Sequence, residues 1–139
     1  MRVFLDTNIL LDIIEGRQQF LLASSNVFDL GIKGQIEMFA TPLTFANCVY
    51  TARKNVGYEQ AISGLRSLKS YVKIAVMDDV QVTEALGSDM PDFEDMLQYK
   101  AAVSAKCDVI ITRDKKRHFP SNGIPVLSPE DFLNEFIRE

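Results

Sequence analysis

Arg2-Val3-Phe4-Leu5-Asp6-Thr7-Asn8 opens the chain with a short apolar strand that stops at an acid. Far along the chain, Asp108-Val109-Ile110-Ile111-Thr112-Arg113-Asp114 repeats the pattern: a buried strand, a polar residue, then an acid. Working outward, strands at 36–40, 72–76 and 125–127 alternate with helices at 7–15, 18–33, 42 to about 57, 58–70, 78–86, 93–105 and from 129 onward. Thr41 caps the helix that begins at Pro42, Ser128 caps the last one, and Gly31 and Gly34 lie near the end of the second. Strands separated by helices give a parallel sheet covered on both faces. In such sheets the functional groups collect beyond the carboxyl ends of the strands. Asp6 and Asp114 are therefore expected at one edge.

The chain has 139 residues, enough for one core, and no linker or repeat divides it, so residues 1–139 read as a single domain. Hydrophobic residues make up 47% and charged ones 24%, which excludes a disordered chain. Apolar runs such as Ile9-Leu10-Leu11 are far shorter than the ~20 residues of a membrane span, and Asp6 comes too early for a secretory signal. A cytoplasmic protein is expected. Cys48 and Cys107 have neither C-x-x-C nor His spacing and read as buried thiols. The net charge of −4 argues against nucleic-acid binding by bulk positive charge, though not against binding through metal ions held by acids.

Three acidic segments carry the chemistry. Asp6-Thr7-Asn8 taken alone reads as a helix cap, with Asn8 able to orient Asp6 or hold water. In Asp92-Phe93-Glu94-Asp95 the helix start explains Asp92 well and Asp95 partly, but not three acids in four residues, a crowding that repels without a cation. Thr112-Arg113-Asp114 alone reads as a surface turn. Topology sends all three to one edge of the sheet. Hard divalent cations want several oxygen ligands, and Mg²⁺ takes one or two carboxylates plus water and a phosphate. Such an ion can generate hydroxide and stabilise a leaving oxygen without any histidine. Phosphate contacts are expected from Arg53 and Lys54 and from Arg113, Lys115 and Lys116, while His118 reads as part of a solvated basic loop.

V-F-L-D-T-N-I-L-L-D, D-F-E-D-M-L-Q-Y and I-I-T-R-D, in this order, resemble a PIN domain over essentially the whole chain. The resemblance implies a three-layer α/β/α fold around a mostly parallel sheet, with an acidic pocket for Mg²⁺ or Mn²⁺. It implies an endoribonuclease similar to VapC toxins, with RNA as substrate, a cognate antitoxin as partner, and monomer or homodimer left open. Asp6, Asp95 and Asp114 fall on the family's acidic positions as catalytic and metal-holding residues, with Asp92 as a further acid and Asn8, Asn47 and Thr112 auxiliary. The family usually has Glu where this chain has Asn47, and an amide attracts Mg²⁺ less than a carboxylate does. Asn47 is expected to face the pocket and bind metal-bound water or a neighbouring acid through its amide oxygen. Asn47→Glu is then expected to tighten Mn²⁺ binding. Asp6→Asn or Asp95→Asn is expected to abolish cleavage and leave the thermal midpoint unchanged or raised, because acid–acid repulsion is relieved.

The alternative is a catalytically weakened domain that binds RNA or protein without cutting. A phosphatase of the haloacid-dehalogenase type fails at Asn8, which stands where that chemistry needs a second acid, and the chain lacks room for a cap domain.

Overall fold

Val3, Phe4 and Leu5 are at most 1% exposed because β1 (Arg2–Leu5) lies at the centre of the sheet. The computed structural model describes residues 1–138. Its five strands are β1, β2 (Glu37–Ala40), β3 (Val72–Ile74), β4 (Val109–Ile111) and β5 (Val126–Leu127), in the order β3-β2-β1-β4-β5. Every pairing is parallel, and Val3, Phe4 and Leu5 stand opposite Val109, Ile110 and Ile111. The helices are α1 (Thr7–Ile14), α2 (Leu21–Ile32), α3 (Pro42–Val56), α4 (Tyr58–Lys69), α5 (Asp79–Leu86), α6 (Phe93–Ser104) and α7 (Pro129–Arg138).

Alternation along the strands divides the core between two faces. Val3, Leu5, Met38, Ala40 and Ile111 pack with residues of α1, α2, α3, α4 and α7. Phe4, Phe39 and Ile110 pack with Ala85 of α5 and with Met96, Tyr99 and Ala102 of α6. Burial on both faces is why these strands read as continuous apolar runs, and the result is the expected three-layer α/β/α sandwich.

Local chemistry sets most of the boundaries. Thr41 and Thr44 form a reciprocal cap at the start of α3, and Ser128 accepts from the Asp131 N–H at 3.1 Å. The second helix begins at Leu21 rather than 18, and its start has no side-chain cap. Gly31 does not end that helix. It lies within α2, where a side chain would overlap Met38, so its role is to let α2 lie against β2. Gly34, at φ +75°, makes the turn beyond the helix.

Cys48 and Cys107 are free and buried as expected, and burial pushes both thiols up to about 12. Among the described residues no helix is long and apolar enough to cross a membrane.

Candidate functional site

β1 and β4 are neighbours, so their carboxyl ends bring Asp6 and Thr112 together across the sheet edge. Asp6 is 2% exposed and its carboxylate is held on all sides. Its Oδ1 accepts from the Thr7 N–H at 2.8 Å, which caps α1. Its Oδ2 accepts from the Thr112 hydroxyl at 2.7 Å and, more weakly, from the Asn8 amide at 3.4 Å. Asn8 also donates to Thr112 Oγ1 at 3.1 Å, and its own oxygen accepts from the Arg113 N–H at 3.2 Å. Asn8 and Thr112 thus hold the Asp6 carboxylate in one orientation.

Asp95 arrives from the other layer. Asp92 caps α6 by accepting the Asp95 N–H at 2.9 Å, and Asp95, in the first turn, is 3% exposed. One turn on, Gln98 locks the helix in place: it accepts from Thr41 Oγ1 at 2.7 Å and donates to Thr44 Oγ1 at 3.3 Å. That buried network ties α6 to the start of α3 at the same edge. Asp114 sits at the rim, 45% exposed, with its Oδ1 accepting from the Lys116 N–H at 2.8 Å.

The three acids share one partner that sequence reasoning passed over. The Arg117 guanidinium forks onto Asp6, Nε to Oδ2 at 2.8 Å and Nη2 to Oδ1 at 2.9 Å. Its Nη1 donates to Asp95 Oδ1 at 2.5 Å, and Asp114 Oδ2 lies 3.8 Å from Nε. Burial works against the charge on Arg117, but the Asp6 and Asp95 carboxylates outweigh it and hold its pKa above the ordinary arginine value. The remaining oxygen of Asp95 accepts from the His118 N–H at 2.9 Å, with the His118 ring 3.6 Å away. Lys115-Lys116-Arg117-His118 reads as a solvated run. The available signal was its place, directly after an acid at a strand end.

The other basic residues divide. Lys115 and Lys116 are exposed near the acids. The Arg113 side chain is instead turned to Asp12, with Nε–Oδ2 at 2.8 Å and Nη2–Oδ1 at 2.7 Å, and stacks 3.7 Å over Phe20. Arg53 and Lys54 lie over the Tyr50 ring at 4.8 and 4.6 Å. The next residue, Asn55, bonds Glu15 past the end of α1, roughly 14 Å of helix rise from Asp6. The fold does not bring Arg53 and Lys54 to the acids.

Asn47 also differs from expectation. It engages a neighbouring acid through its amide nitrogen, which donates to Glu94 Oε1 at 2.9 Å. An ionised carboxylate only accepts, so the oxygen of Asn47 could not have served. Glu94 is exposed while Asp95 is buried, as one residue of helix rotation requires.

Carboxylate oxygens that enclose a cation are a hard donor set, and the guanidinium shows that the pocket accepts positive charge at its centre. The residues therefore fit a divalent metal ion. Asp6, Asp95 and Asp114 would hold it. Asp92 and His118 each offer an atom within 4.8 Å of Asp95's. The cap at Asp92 gives a separate expectation: Asp92→Ala should lower stability by about 1 kcal/mol in urea denaturation, and Asp92→Asn, still a good cap, should not.

The family model described as PIN domain matches residues 2–116. No curated protein matches the chain. Among solved structures the chain is similar to DNA-bound VapBC from Salmonella typhimurium, with TM-score 0.67 and 17% identity over 93% of this chain and 98% of that one. It is similar to VapBC2 from Rickettsia felis bound to a DNA fragment from their promoter, with TM-score 0.65 and 19% identity over 92% and 98%. A toxin–antitoxin complex from Klebsiella pneumoniae gives TM-score 0.62 and 21% identity over 91% and 97%. At such identities the structural likeness is one of fold. The family match is independent of it and runs from β1 through the acid that follows β4, so the chain belongs to the PIN domain family.

Proposed function

We propose that this chain is a metal-dependent endoribonuclease, the toxin half of a type II toxin–antitoxin pair acting in the cytoplasm on RNA as a single domain. The observation that carries this reading is the convergence of Asp6, Asp95 and Asp114 on one cation at the carboxyl edge of the sheet. PIN domains are generally nucleases, and the structures similar to this chain are toxin–antitoxin complexes, which supports an antitoxin partner here.

In this reading Asp6, Asp95 and Asp114 are the catalytic residues, with Asp92 assisting, and together they hold Mg²⁺ or Mn²⁺. A bound ion of this kind supplies a water-derived nucleophile at neutral pH and stabilises charge on the phosphodiester. The chain does the rest. Thr112 and Asn8 keep the Asp6 oxygens aimed, and the buried Thr41–Gln98 contact keeps α6, and so Asp95, in register with them. Lys115 and Lys116 take RNA phosphates beside the acids. A cleft of about 490 Å³, lined in part by Lys115, Phe119, Ile124 and Asp131, opens next to Asp114 and offers room for the strand.

The purified chain, freed of any bound partner, is expected to cut RNA in the presence of Mg²⁺ or Mn²⁺ and to stop when EDTA is added. The second reading, a domain that binds RNA or protein without cutting, is favoured by Arg117, which already fills the acidic pocket. Failure to cut any RNA in saturating Mn²⁺, with RNA binding retained, would decide for it.

A further inference from the structure

Asp6 has no oxygen lone pair to spare. A carboxylate offers about four acceptor positions. On Asp6 they are taken by the Thr7 N–H and Arg117 Nη2 at Oδ1, and by Thr112 and Arg117 Nε at Oδ2, with the Asn8 amide adding a long contact to Oδ2 at 3.4 Å. The Thr7 bond caps a helix and the Thr112 bond is buried between strand ends, so neither is readily given up. The two positions held by Arg117 are the ones that can be vacated. The same guanidinium covers Oδ1 of Asp95, whose Oδ2 receives the His118 N–H. A metal ion cannot reach both Asp6 and Asp95 while Arg117 stays.

We propose that Arg117 and a divalent cation exchange for the same carboxylate oxygens, so that the metal-free protein holds its own reaction centre shut with a guanidinium. The inference rests on the metal-site reading given above. Arg117 belongs to the stretch between β4 and β5, and it lines the adjoining cleft as well as the acid pocket. A displaced side chain therefore has a solvent-filled place to go without disturbing the sheet. The two states differ in where the positive charge comes from, and in both the buried acids are neutralised. Apparent metal affinity is then the intrinsic affinity reduced by the small fraction of molecules in which Arg117 is released.

The test is Mn²⁺ titration calorimetry on the full chain and its Arg117→Ala and Arg117→Gln variants. Both variants are expected to bind Mn²⁺ about 10- to 100-fold more tightly than the wild type, the range set by losing charge-assisted bonds of this kind. Metal-free, both are expected to melt at lower temperature than the wild type and to gain more from added Mn²⁺. If the variants do not fold without metal, the wild type alone decides. Its Arg117 Nε–H signal in NMR should be protected from exchange in EDTA and lose that protection on saturation with Mg²⁺. Equal Mn²⁺ affinity in wild type and variants, or an Arg117 signal unmoved by saturating Mg²⁺, would overturn the exchange and leave the metal site standing. No Mn²⁺ binding by any of the proteins would overturn both.

Discussion

Asp6→Asn is expected to reduce metal-dependent RNA cleavage by at least ~100-fold, because groups that merely orient a metal ligand are already worth about 10- to 100-fold and Asp6 is placed to be a ligand itself. The substitution keeps the shape of the side chain and one oxygen. Asparagine is a good cap, so the start of α1 should survive. The effect on stability is where the structure reverses the sequence-based expectation of an unchanged or raised midpoint. The acids do not repel one another unrelieved, since Arg117 lies among them. Removing the charge of Asp6 takes away half of a bidentate ion pair and leaves a partly buried guanidinium short of an acceptor. Metal-free stability should fall by about 1.5–3 kcal/mol, the usual range for bonds to a charged group. Cleavage assays in Mn²⁺ and urea denaturation in EDTA measure the two effects separately. Wild-type cutting by the variant would remove Asp6 from the reaction. An unchanged midpoint would mean that the Arg117 contact contributes nothing to the metal-free fold.

Arg113→Ala should damage the fold rather than the chemistry. Asp12 is fully buried and its carboxylate is satisfied by the Arg113 fork and by the Ser24 hydroxyl at 2.7 Å. Arg17 stands further off, at 3.8 Å. Without Arg113 the Asp12 charge stays inside with poor compensation, and breaking a buried pair in this way costs about 3–5 kcal/mol. Loss of the packing of the guanidinium on Phe20 adds to it. The paired replacement Asp12→Leu with Arg113→Met should recover most of that, since the penalty comes from the orphaned charge. Lys115→Ala, two residues away and exposed, should leave stability within about 0.5 kcal/mol while weakening RNA binding. Unaltered urea stability of Arg113→Ala together with weaker RNA binding would return Arg113 to the phosphate-contact role that its position in a basic run suggests.

These two arginines mark where sequence stops being informative. Arg113 and Arg117 lie in one basic stretch after β4, and composition gives no reason to treat them differently. One turns to Asp12 at the end of α1 and the other turns back over Asp6 and Asp95. Their directions depend on the path of the loop, which is pinned beyond them where the Ile124 N–H donates to the Tyr99 hydroxyl at 2.9 Å and Gly123 packs against the same ring. No local pattern encodes that contact, because Tyr99 belongs to α6. Likewise Arg53 and Lys54 looked available for RNA, and only the run of α3 alongside α1 carries them away from the acids.

That the sheet is parallel and that Asp6 and Asp114 lie at its carboxyl edge were written in the sequence itself, while the strand order came only with the structure. Strand period, strand-end acids and helix caps are local signals, and a parallel sheet converts the end of a strand into a fixed edge of the molecule. Asp95 was legible for the same reason, as an acid in the first turn of a well-capped helix. Which cation answers those acids was decided only by tertiary structure. Side-chain direction in an irregular loop follows from packing between segments far apart in the chain, and an arginine's charge can be satisfied by any carboxylate within its reach.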